Sequence, residues 1–155
     1  KTIAIDLSDE KLALAKELGA NHTLNPKDEN FLETFLDITS GGANIAVETA
    51  GSGHALKTAY DITRRGGTTV AAGMPGPKVE ITLSHLSIAA EERVIKGSYM
   101  GSCIAQRDIP KYLDMFQTGK LPVDRLLSRK IKFEDLNEAM DRLDDAKTVR
   151  EVLIP

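Results

Sequence analysis

The 155-residue sequence contains one cysteine, no tryptophan and few aromatic residues of any kind. Because Cys103 stands alone, the chain can form no internal disulfide and no zinc site built on paired cysteines, and a reducing cytoplasm suits it. Aromatic residues make up 5% of the chain and the net charge is −3, so the sequence offers neither stacking platforms nor a basic surface. We therefore expect no nucleic-acid partner.

Long hydrophobic runs are also absent. No apolar stretch approaches the roughly 18 residues needed to cross a bilayer, and the first residues lack the layout of a signal peptide. An apolar content of 41% is still enough for the core of one domain, or of one domain with an appendage. These features predict a soluble, cytoplasmic protein with no membrane partner.

The beginning of the chain has the pattern of a strand, an acid and a helix. Thr2 to Ile5 is apolar and mostly β-branched, Ser8 can cap a helix, and Gly19 can end it. Asp6 follows the strand, where its two oxygens could bind both hydroxyls of an adenosine ribose, or could only help to cap the helix. This stretch alone leaves both interpretations open.

The same alternation continues to about residue 100 and predicts an α/β fold, a doubly wound parallel sheet with crossover helices. Ligands of such sheets bind at the carboxyl ends of the strands, where glycines and small residues recur in this sequence. At one strand they would be ordinary turn chemistry, but their repetition favours a ligand cleft. Further strands are predicted at 20–24, 44–49, 68–72 and 93–96, with a break at Gly66-Gly67, and helices at 30–39, from Ser52 and at 84–91.

The pattern changes near residues 98–104, where we place the boundary between a segment 1–100 and a segment 101–155. Asp108 is predicted to cap a helix, which is followed by a strand over 126–131, a second helix and a closing strand over 149–154. Both helices carry apolar faces that we expect to be buried, formed by Ile109, Tyr112, Leu113 and Phe116 and by Leu136, Ala139, Met140 and Leu143.

Several short motifs, in this order, resemble the zinc-type alcohol dehydrogenases of the medium-chain dehydrogenase/reductase family. The resemblance implies a Rossmann-like sheet that lacks its first strand, with a partial NAD-binding domain over 1–100 and a C-terminal α/β piece of the catalytic domain over 101–155. The motifs are Asp6-Leu7-Ser8-Asp9-Glu10-Lys11, Val47-Glu48-Thr49-Ala50-Gly51, Gly66-Gly67-Thr68-Thr69-Val70, Ile95-Lys96-Gly97-Ser98-Tyr99 and Thr148-Val149-Arg150-Glu151-Val152.

The resemblance implies cofactor-binding residues on the adenosine side of a dinucleotide. Asp6 is similar to the family's ribose-binding acid, which implies NAD rather than NADP, and Lys11 is similar to the basic residue that supports the same ribose. Ala50 and Gly51 would lie near the adenosine.

On the nicotinamide side, the resemblance implies contacts mainly through the backbone. Groups at Ala72, Ser98 and Met100 are similar to those that hold the carboxamide, and Met74 would lie near the ring. Arg150 matches an arginine that reaches the pyrophosphate, where a guanidinium suits anionic oxygens.

The family's first strand, glycine-rich turn, zinc ligands and proton-relay groups have no counterpart in this sequence. His22, His54 and His85 are scattered without the spacing of metal ligands, so we assign no catalytic and no metal residues. The resemblance therefore implies a fragment, with zinc in the full-length parent only. The gap left in its sheet could be closed by the remaining strands, filled by another chain, or occupied by further residues of the same protein.

The implied activity of the parent is hydride transfer between a small alcohol or aldehyde and NAD, in a homo-oligomer (a dimer or tetramer) formed around residues 79–83. The isolated chain is expected to be inactive. Two alternatives stay open: a zinc-free quinone or enoyl reductase of the same superfamily, whose usual NADPH conflicts with Asp6, and a non-catalytic nucleotide-binding module. An S-adenosylmethionine methyltransferase would also place an acid after its second strand, but it needs a terminal antiparallel hairpin, which the helix, strand, helix, strand layout of residues 107–155 does not offer.

Overall fold

The computed structural model describes residues 1–144 and 148–154 and divides into two units, Lys1–Cys103 and a second unit that begins at Ile104. The first unit alternates strands and helices as predicted. None of the described helices in either unit is long and apolar enough to cross a membrane. The first unit contains β1 (Ile3–Ile5), α1 (Asp9–Glu17), β2 (His22–Leu24), α2 (Phe31–Thr39), β3 (Ala43–Glu48), α3 (Gly53–Asp61), β4 (Thr63–Ala71), α4 (His85–Glu91), β5 (Val94–Gly97) and a 3-10 turn (Tyr99–Ser102).

The helix boundaries follow local signals. Ser8 and Ser84 are the N-caps of α1 and α4, and their hydroxyl oxygens accept the backbone N–H groups of Lys11 and Ser87, each at 3.3 Å. Gly19 follows α1 with φ +109°, in the left-handed region that favours glycine. The predicted starts of these helices are therefore confirmed.

The strands of the first unit form two separate parallel sheets. One sheet pairs β1 with β2, and the other has the order β3, β4, β5. Within this described part of the chain, no backbone ladder joins β1 to β3. The alternative in which the remaining strands close the gap in the sheet is therefore wrong, because each of these two edges stays unpaired.

Side-chain packing joins the two sheets instead. An apolar cluster receives residues from β1, β2, α2, β3 and α3, so that both sheets cover the same core. The phenylalanine rings of α2 lie 6.3 Å apart at their centroids and fill the centre of this contact. The buried members are Phe35, Ala46, Ala59 and Ile62, against which the partly buried Ile3, Ile5, Leu24, Phe31 and Ala43 pack.

β3 is buried on one face only, although the apolar residues at the centre of 44–49 predict a buried strand. Ala46 and Glu48 are buried, whereas the alternate residues Ile45 and Val47 are 65% and 58% exposed. Successive side chains of a strand point to opposite faces, so the cluster beneath β3 cannot cover this second set. The predicted burial of this strand therefore holds for one of its two faces.

β4 begins earlier than predicted and runs through Gly66-Gly67 rather than starting after this pair. Thr63 already pairs with Ala43, and the register then shifts so that Ile45 pairs with Thr68. Gly66 adopts φ +67°, which permits the bulge. Across the bulge, the buried Thr63 and Thr69 hydroxyls are hydrogen-bonded at 2.9 Å. The glycine pair therefore bends the strand and does not end it.

The second unit is built around a short pair of parallel strands. Its first helix begins one turn before Asp108, which is therefore not the cap that the sequence predicts. Asp108 instead accepts the Ile104 backbone N–H with Oδ2 at 2.9 Å, and it pairs with Arg107 and Lys111. The unit contains α5 (Ala105–Gln117), β6 (Arg129–Ile131), α6 (Leu136–Asp144) and β7 (Glu151–Leu153), with 3-10 turns at Val123–Leu126 and Phe133–Asp135.

The apolar faces of α5 and α6 are largely uncovered, contrary to the prediction. Their 3.6-residue periodicity marks an apolar side, but it does not specify a neighbour to cover that side. Only Ala139, at 2% exposure, is buried among the residues predicted for the two faces. The others are between 36% and 59% exposed: Ile109, Tyr112, Leu113, Phe116, Leu136, Met140 and Leu143.

Residues 79–83, expected to form an extended piece, pair with no strand in the part of the chain that the structure describes. Val79 instead donates its backbone N–H to the Gly76 carbonyl at 3.0 Å, which closes a turn. The expected role of these residues in assembly stays a prediction.

The shared core can be tested by truncating Phe35, which is 2% exposed. We expect Phe35→Ala to lower the free energy of unfolding by about 3–5 kcal/mol, since it leaves a cavity between the two sheets. Leu32→Ala on the same helix, where the side chain is 50% exposed, should lower it by less than about 1 kcal/mol. Urea unfolding monitored by circular dichroism measures both losses. The milder Ile62→Val should lower the free energy of unfolding by about 0.5–1.5 kcal/mol. Equal losses for Phe35→Ala and Leu32→Ala would contradict a core placed here.

Asp108 should make the second unit sensitive to acid. Hydrogen bonds from Arg107 and from the Ile104 backbone hold the pKa of its carboxyl well below its usual range. A depressed folded-state pKa stabilises the protein above the unfolded value of about 3.9, and this stabilisation is lost as the pH falls further. Asp108→Asn should therefore unfold at a lower urea concentration than wild type at pH 7, and the difference should shrink between about pH 5 and pH 2. The exposed Asp114→Asn, on the same helix, is the control, and a difference for Asp108→Asn that does not change with pH would refute the assignment.

Candidate functional site

The carboxyl ends of β3, β4 and β5 lie side by side. Glu48 pairs with Ala71, and Ala71 pairs with Gly97, so the three strands end at one edge of their sheet. The backbone hydrogen bonds continue past the strands: the Ala72 N–H donates to the Glu48 carbonyl and the Ser98 N–H donates to the Ala71 carbonyl, both at 2.9 Å. The three exit loops are thus fixed to one another at their bases.

Two of these exit loops are in direct backbone contact. A Cβ atom on Gly73 would lie 2.1 Å from the Gly51 nitrogen, and one on Gly51 would lie 2.6 Å from the Met74 carbonyl oxygen. Gly51 also has φ +69°, which favours glycine. Only residues without side chains fit at both positions, so the glycines allow the loops after β3 and β4 to form one continuous surface.

Glu48 lies beneath this contact and was not among the predicted site residues. It is 5% exposed, and its Oε1 accepts the Gly51 backbone N–H at 2.6 Å and the Ser52 N–H at 3.4 Å. A buried carboxyl group is costly unless it is hydrogen-bonded, and these contacts supply the partners. An acid at the carboxyl end of a strand with an apolar centre is the sequence signal that identifies it.

The structure brings most of the predicted nucleotide-binding residues to this edge. They follow the three strand ends and range from half-buried to fully accessible. Met74 and Met100 are the most accessible, at 71% and 77% exposure. The residues at this edge are Ala50, Gly51, Ala72, Met74, Ser98 and Met100.

The exit of β5 has an unusual backbone conformation. Met100 adopts φ 47° and ψ 41°, a left-handed conformation uncommon for a residue with a side chain. Gly101 follows with φ 67°, and the Cys103 N–H donates to the Met100 carbonyl at 3.3 Å, so the chain turns sharply here. Backbone strain of this kind is found preferentially at functional sites.

Asp6 and Lys11 lie at a different place: Asp6 is in the turn after β1, and Lys11 is in the first turn of α1. Asp6 Oδ1 accepts the Ser8 backbone N–H at 2.9 Å, and Ser8 in turn caps the Lys11 N–H. Asp6 therefore helps to cap α1, because one of its oxygens holds the backbone of Ser8, the N-cap residue. A carboxylate has acceptor sites on both oxygens, so this contact orients Asp6 without using its full capacity to bind a ligand.

Arg150 lies in the second unit, directly before β7, with an exposed side chain. Its backbone is fixed to Ser128, whose N–H donates to the Arg150 carbonyl at 2.7 Å. The next residue, Glu151, accepts two hydrogen bonds from Arg142, both at 2.8 Å, which hold β7 to α6 and lower the pKa of Glu151. The predicted contact of Arg150 with a pyrophosphate stays a prediction.

The sequence model for zinc-binding dehydrogenases matches residues 1–118 of this chain. The chain belongs to the zinc-binding dehydrogenases. Within residues 1–144 and 148–154 of this zinc-binding dehydrogenase, no group of three or more histidine, cysteine, aspartate or glutamate side chains is arranged to hold a metal ion.

Individual relatives agree with this membership. The chain is 31% identical to geraniol dehydrogenase from Castellaniella defragrans, over 99% of the chain and 41% of that protein. Benzyl alcohol dehydrogenase from Acinetobacter calcoaceticus has the same fold, with a TM-score of 0.90 and 29% identity over 97% of the chain and 41% of that protein. A zinc-binding dehydrogenase from Sinorhizobium meliloti, solved with NADP, gives a TM-score of 0.82 and 26% identity over 99% of the chain and 44% of that protein. The zinc-type alcohol dehydrogenase resemblance and the Rossmann-like α/β fold are thereby confirmed, for a chain that spans about two-fifths of these relatives' length.

The contact between the exit loops can be tested at Gly73. We expect Gly73→Ala to lower the free energy of unfolding by about 1–3 kcal/mol, because its methyl group must push the Gly51 backbone away. Gly76→Ala in the same loop should change it by less than about 0.5 kcal/mol, since its nearest neighbour would be 4.0 Å away. Urea unfolding and hydrogen exchange of the Gly51 amide measure the effect. Equal behaviour of the two variants would show that the loops are not in contact.

Proposed function

We propose that this chain supplies part of the NAD site of an alcohol dehydrogenase. The observation that carries the proposal is that three parallel strands end side by side and that hydrogen bonds join their exit loops. Glycines allow the backbones of two of these loops to come into direct contact. Flat ligands of doubly wound sheets bind at this edge. Membership of the zinc-binding dehydrogenases supports a dinucleotide as the ligand.

The residues of the chain suit a dinucleotide. Asp6, fixed by Ser8, would accept hydrogen bonds from the adenosine ribose through its second oxygen, and Lys11 in the first turn of α1 would support the same sugar. Ala50 and Gly51 would line the adenosine. When bound, NAD supplies the acceptor for a hydride.

The nicotinamide end of the dinucleotide would meet the exits of β4 and β5. Backbone groups of Ala72, Ser98 and Met100 would hold its carboxamide, and the accessible Met74 would border the ring. Arg150 would bind the pyrophosphate. These contacts are mostly made by the main chain, whose position the ladder from Glu48 to Ala72 and from Ala71 to Ser98 fixes.

The choice of NAD over NADP rests on Asp6. A carboxylate at the ribose would repel a 2′-phosphate, whereas the related structure from Sinorhizobium meliloti was solved with NADP. Family membership therefore does not decide between NAD and NADP, because the family includes a member solved with NADP. The proposal of NAD for this chain rests on Asp6, which follows β1.

The full reaction is proposed for the whole protein rather than for this chain. The described residues do not offer a set of zinc ligands, so no step is derived through zinc here. Geraniol and benzyl alcohol dehydrogenases, which the chain resembles, support an alcohol or aldehyde as the substrate. A cytoplasmic homo-oligomer is part of the proposal for the whole protein. A non-catalytic nucleotide-binding module is the second candidate, since the strand exits supply main-chain groups and glycines that suit binding.

Calorimetric titration with NAD and NADP tests the proposal. We expect the chain to bind NAD more tightly than NADP, and Asp6→Ser to weaken NAD binding about tenfold or more, because it removes a charged acceptor for the ribose hydroxyls. Glu10→Gln, an exposed acid in the first turn of α1, should bind NAD like wild type. Absence of NAD binding by wild type, or an Asp6→Ser variant that binds as well as wild type, would sink the proposal.

A further inference from the structure

Glu48 forms hydrogen bonds to the loops after both β3 and β4. Its side-chain Oε1 accepts the N–H groups of Gly51 and Ser52, in the loop that follows its own strand. Its main-chain carbonyl accepts the N–H groups of Ala72 and Gly73, in the loop that follows β4, both at 2.9 Å. One residue therefore fixes the bases of two loops that the proposed nucleotide site uses.

The fit around the carboxyl group depends on the absence of a side chain opposite it. A Cβ atom on Gly73 would lie 2.9 Å from Glu48 Oε1 and 2.1 Å from the Gly51 nitrogen. Close contacts thus join three residues, Glu48, Gly51 and Gly73, so that a shift of any one of them displaces the other two. With 5% exposure, the Glu48 side chain lies below the surface that a ligand would touch.

We propose that Glu48 is a positioning residue for nucleotide binding, one that holds the β3 and β4 exit loops in the arrangement a dinucleotide requires. This inference rests on the proposed NAD site. Glu48 touches no ligand itself. Its carboxyl group holds Gly51 in the loop after β3, and its main-chain carbonyl, which a side-chain substitution leaves in place, holds Ala72 in the loop after β4. Loss of the carboxyl contacts would free the β3 exit loop to move away from the β4 exit loop, and binding would have to restore their order.

The same contacts define what the β3 exit loop offers to a ligand. Because the Gly51 and Ser52 N–H groups already donate to Glu48, they are not available to phosphate oxygens. Glu48 thus occupies the place that an anion would take just before α3. The loop should consequently contact an uncharged part of the dinucleotide.

The test compares three substitutions of Glu48 in the 155-residue chain. Glu48→Gln keeps an acceptor oxygen at the same reach, Glu48→Asp withdraws it by one methylene, and Glu48→Ala removes it. We expect NAD affinity within about threefold of wild type for Glu48→Gln, and about tenfold or more weaker for Glu48→Asp and Glu48→Ala. Exchange of the Gly51 and Ser52 amide hydrogens, followed by NMR, should accelerate in the same two variants and stay close to wild type in Glu48→Gln.

Controls separate positioning from general stability and from the proposed function. Tyr60→Phe removes the hydrogen bond between the Tyr60 and Ser87 hydroxyls, which lies outside the proposed site, so it should lower stability but leave NAD affinity and the two amide exchange rates unchanged under conditions where the chain is folded. If wild type binds NAD and Glu48→Asp binds it equally well, the positioning role is refuted while the NAD site stands. If wild type does not bind NAD, the proposed function fails, and the exchange rates show whether Glu48 holds the loops. If Glu48→Ala does not fold, the comparison of NAD affinity and amide exchange between Glu48→Asp and Glu48→Gln tests the positioning role.

Discussion

The first unit depends on an apolar cluster that takes the place of a continuous backbone ladder. Parallel strands are normally joined by hydrogen bonds across the whole sheet, but here the β1–β2 pair and the β3–β4–β5 sheet share only side-chain contacts around Phe35. Packing is less directional than hydrogen bonding. The relative position of Asp6, at the end of β1, and of the loops after β3 and β4 therefore follows from how well this cluster is filled.

Local features of the fold could be predicted from the sequence because their causes lie within a few residues. Ser8, Ser84 and Gly19 begin or end helices through their own side chains or backbone freedom, without help from distant parts of the chain. The path of β4 through Gly66-Gly67 could not be predicted in this way, because the bulge exists only where Ala43 pairs with Thr63. The prediction that the apolar faces of α5 and α6 are buried was wrong for a related reason. Periodicity shows which side of a helix is apolar, but it does not show which element covers that side.

In the candidate site too, some features could be predicted from the sequence and others arise only after folding. Parallel topology was sufficient to predict that the strand exits carrying Gly51, Ala72 and Ser98 lie together. It could not identify Glu48, whose importance arises from which N–H groups its carboxyl group accepts after folding. Asp6 lies between these cases: its position was predictable, but the contact with Ser8 that orients it was visible only in the structure.

The open edge of β3 has a further consequence for the behaviour of the chain in solution. Its unpaired backbone groups stand beside Ile45 and Val47, both exposed and β-branched, in a strand that carries no proline and no lysine. Natural proteins usually protect such edges with charge, proline or a covering segment, because an unprotected edge templates the addition of strands from other molecules. Within the described residues, the β3 edge is therefore open to one more strand, which further residues of the protein or another chain could supply.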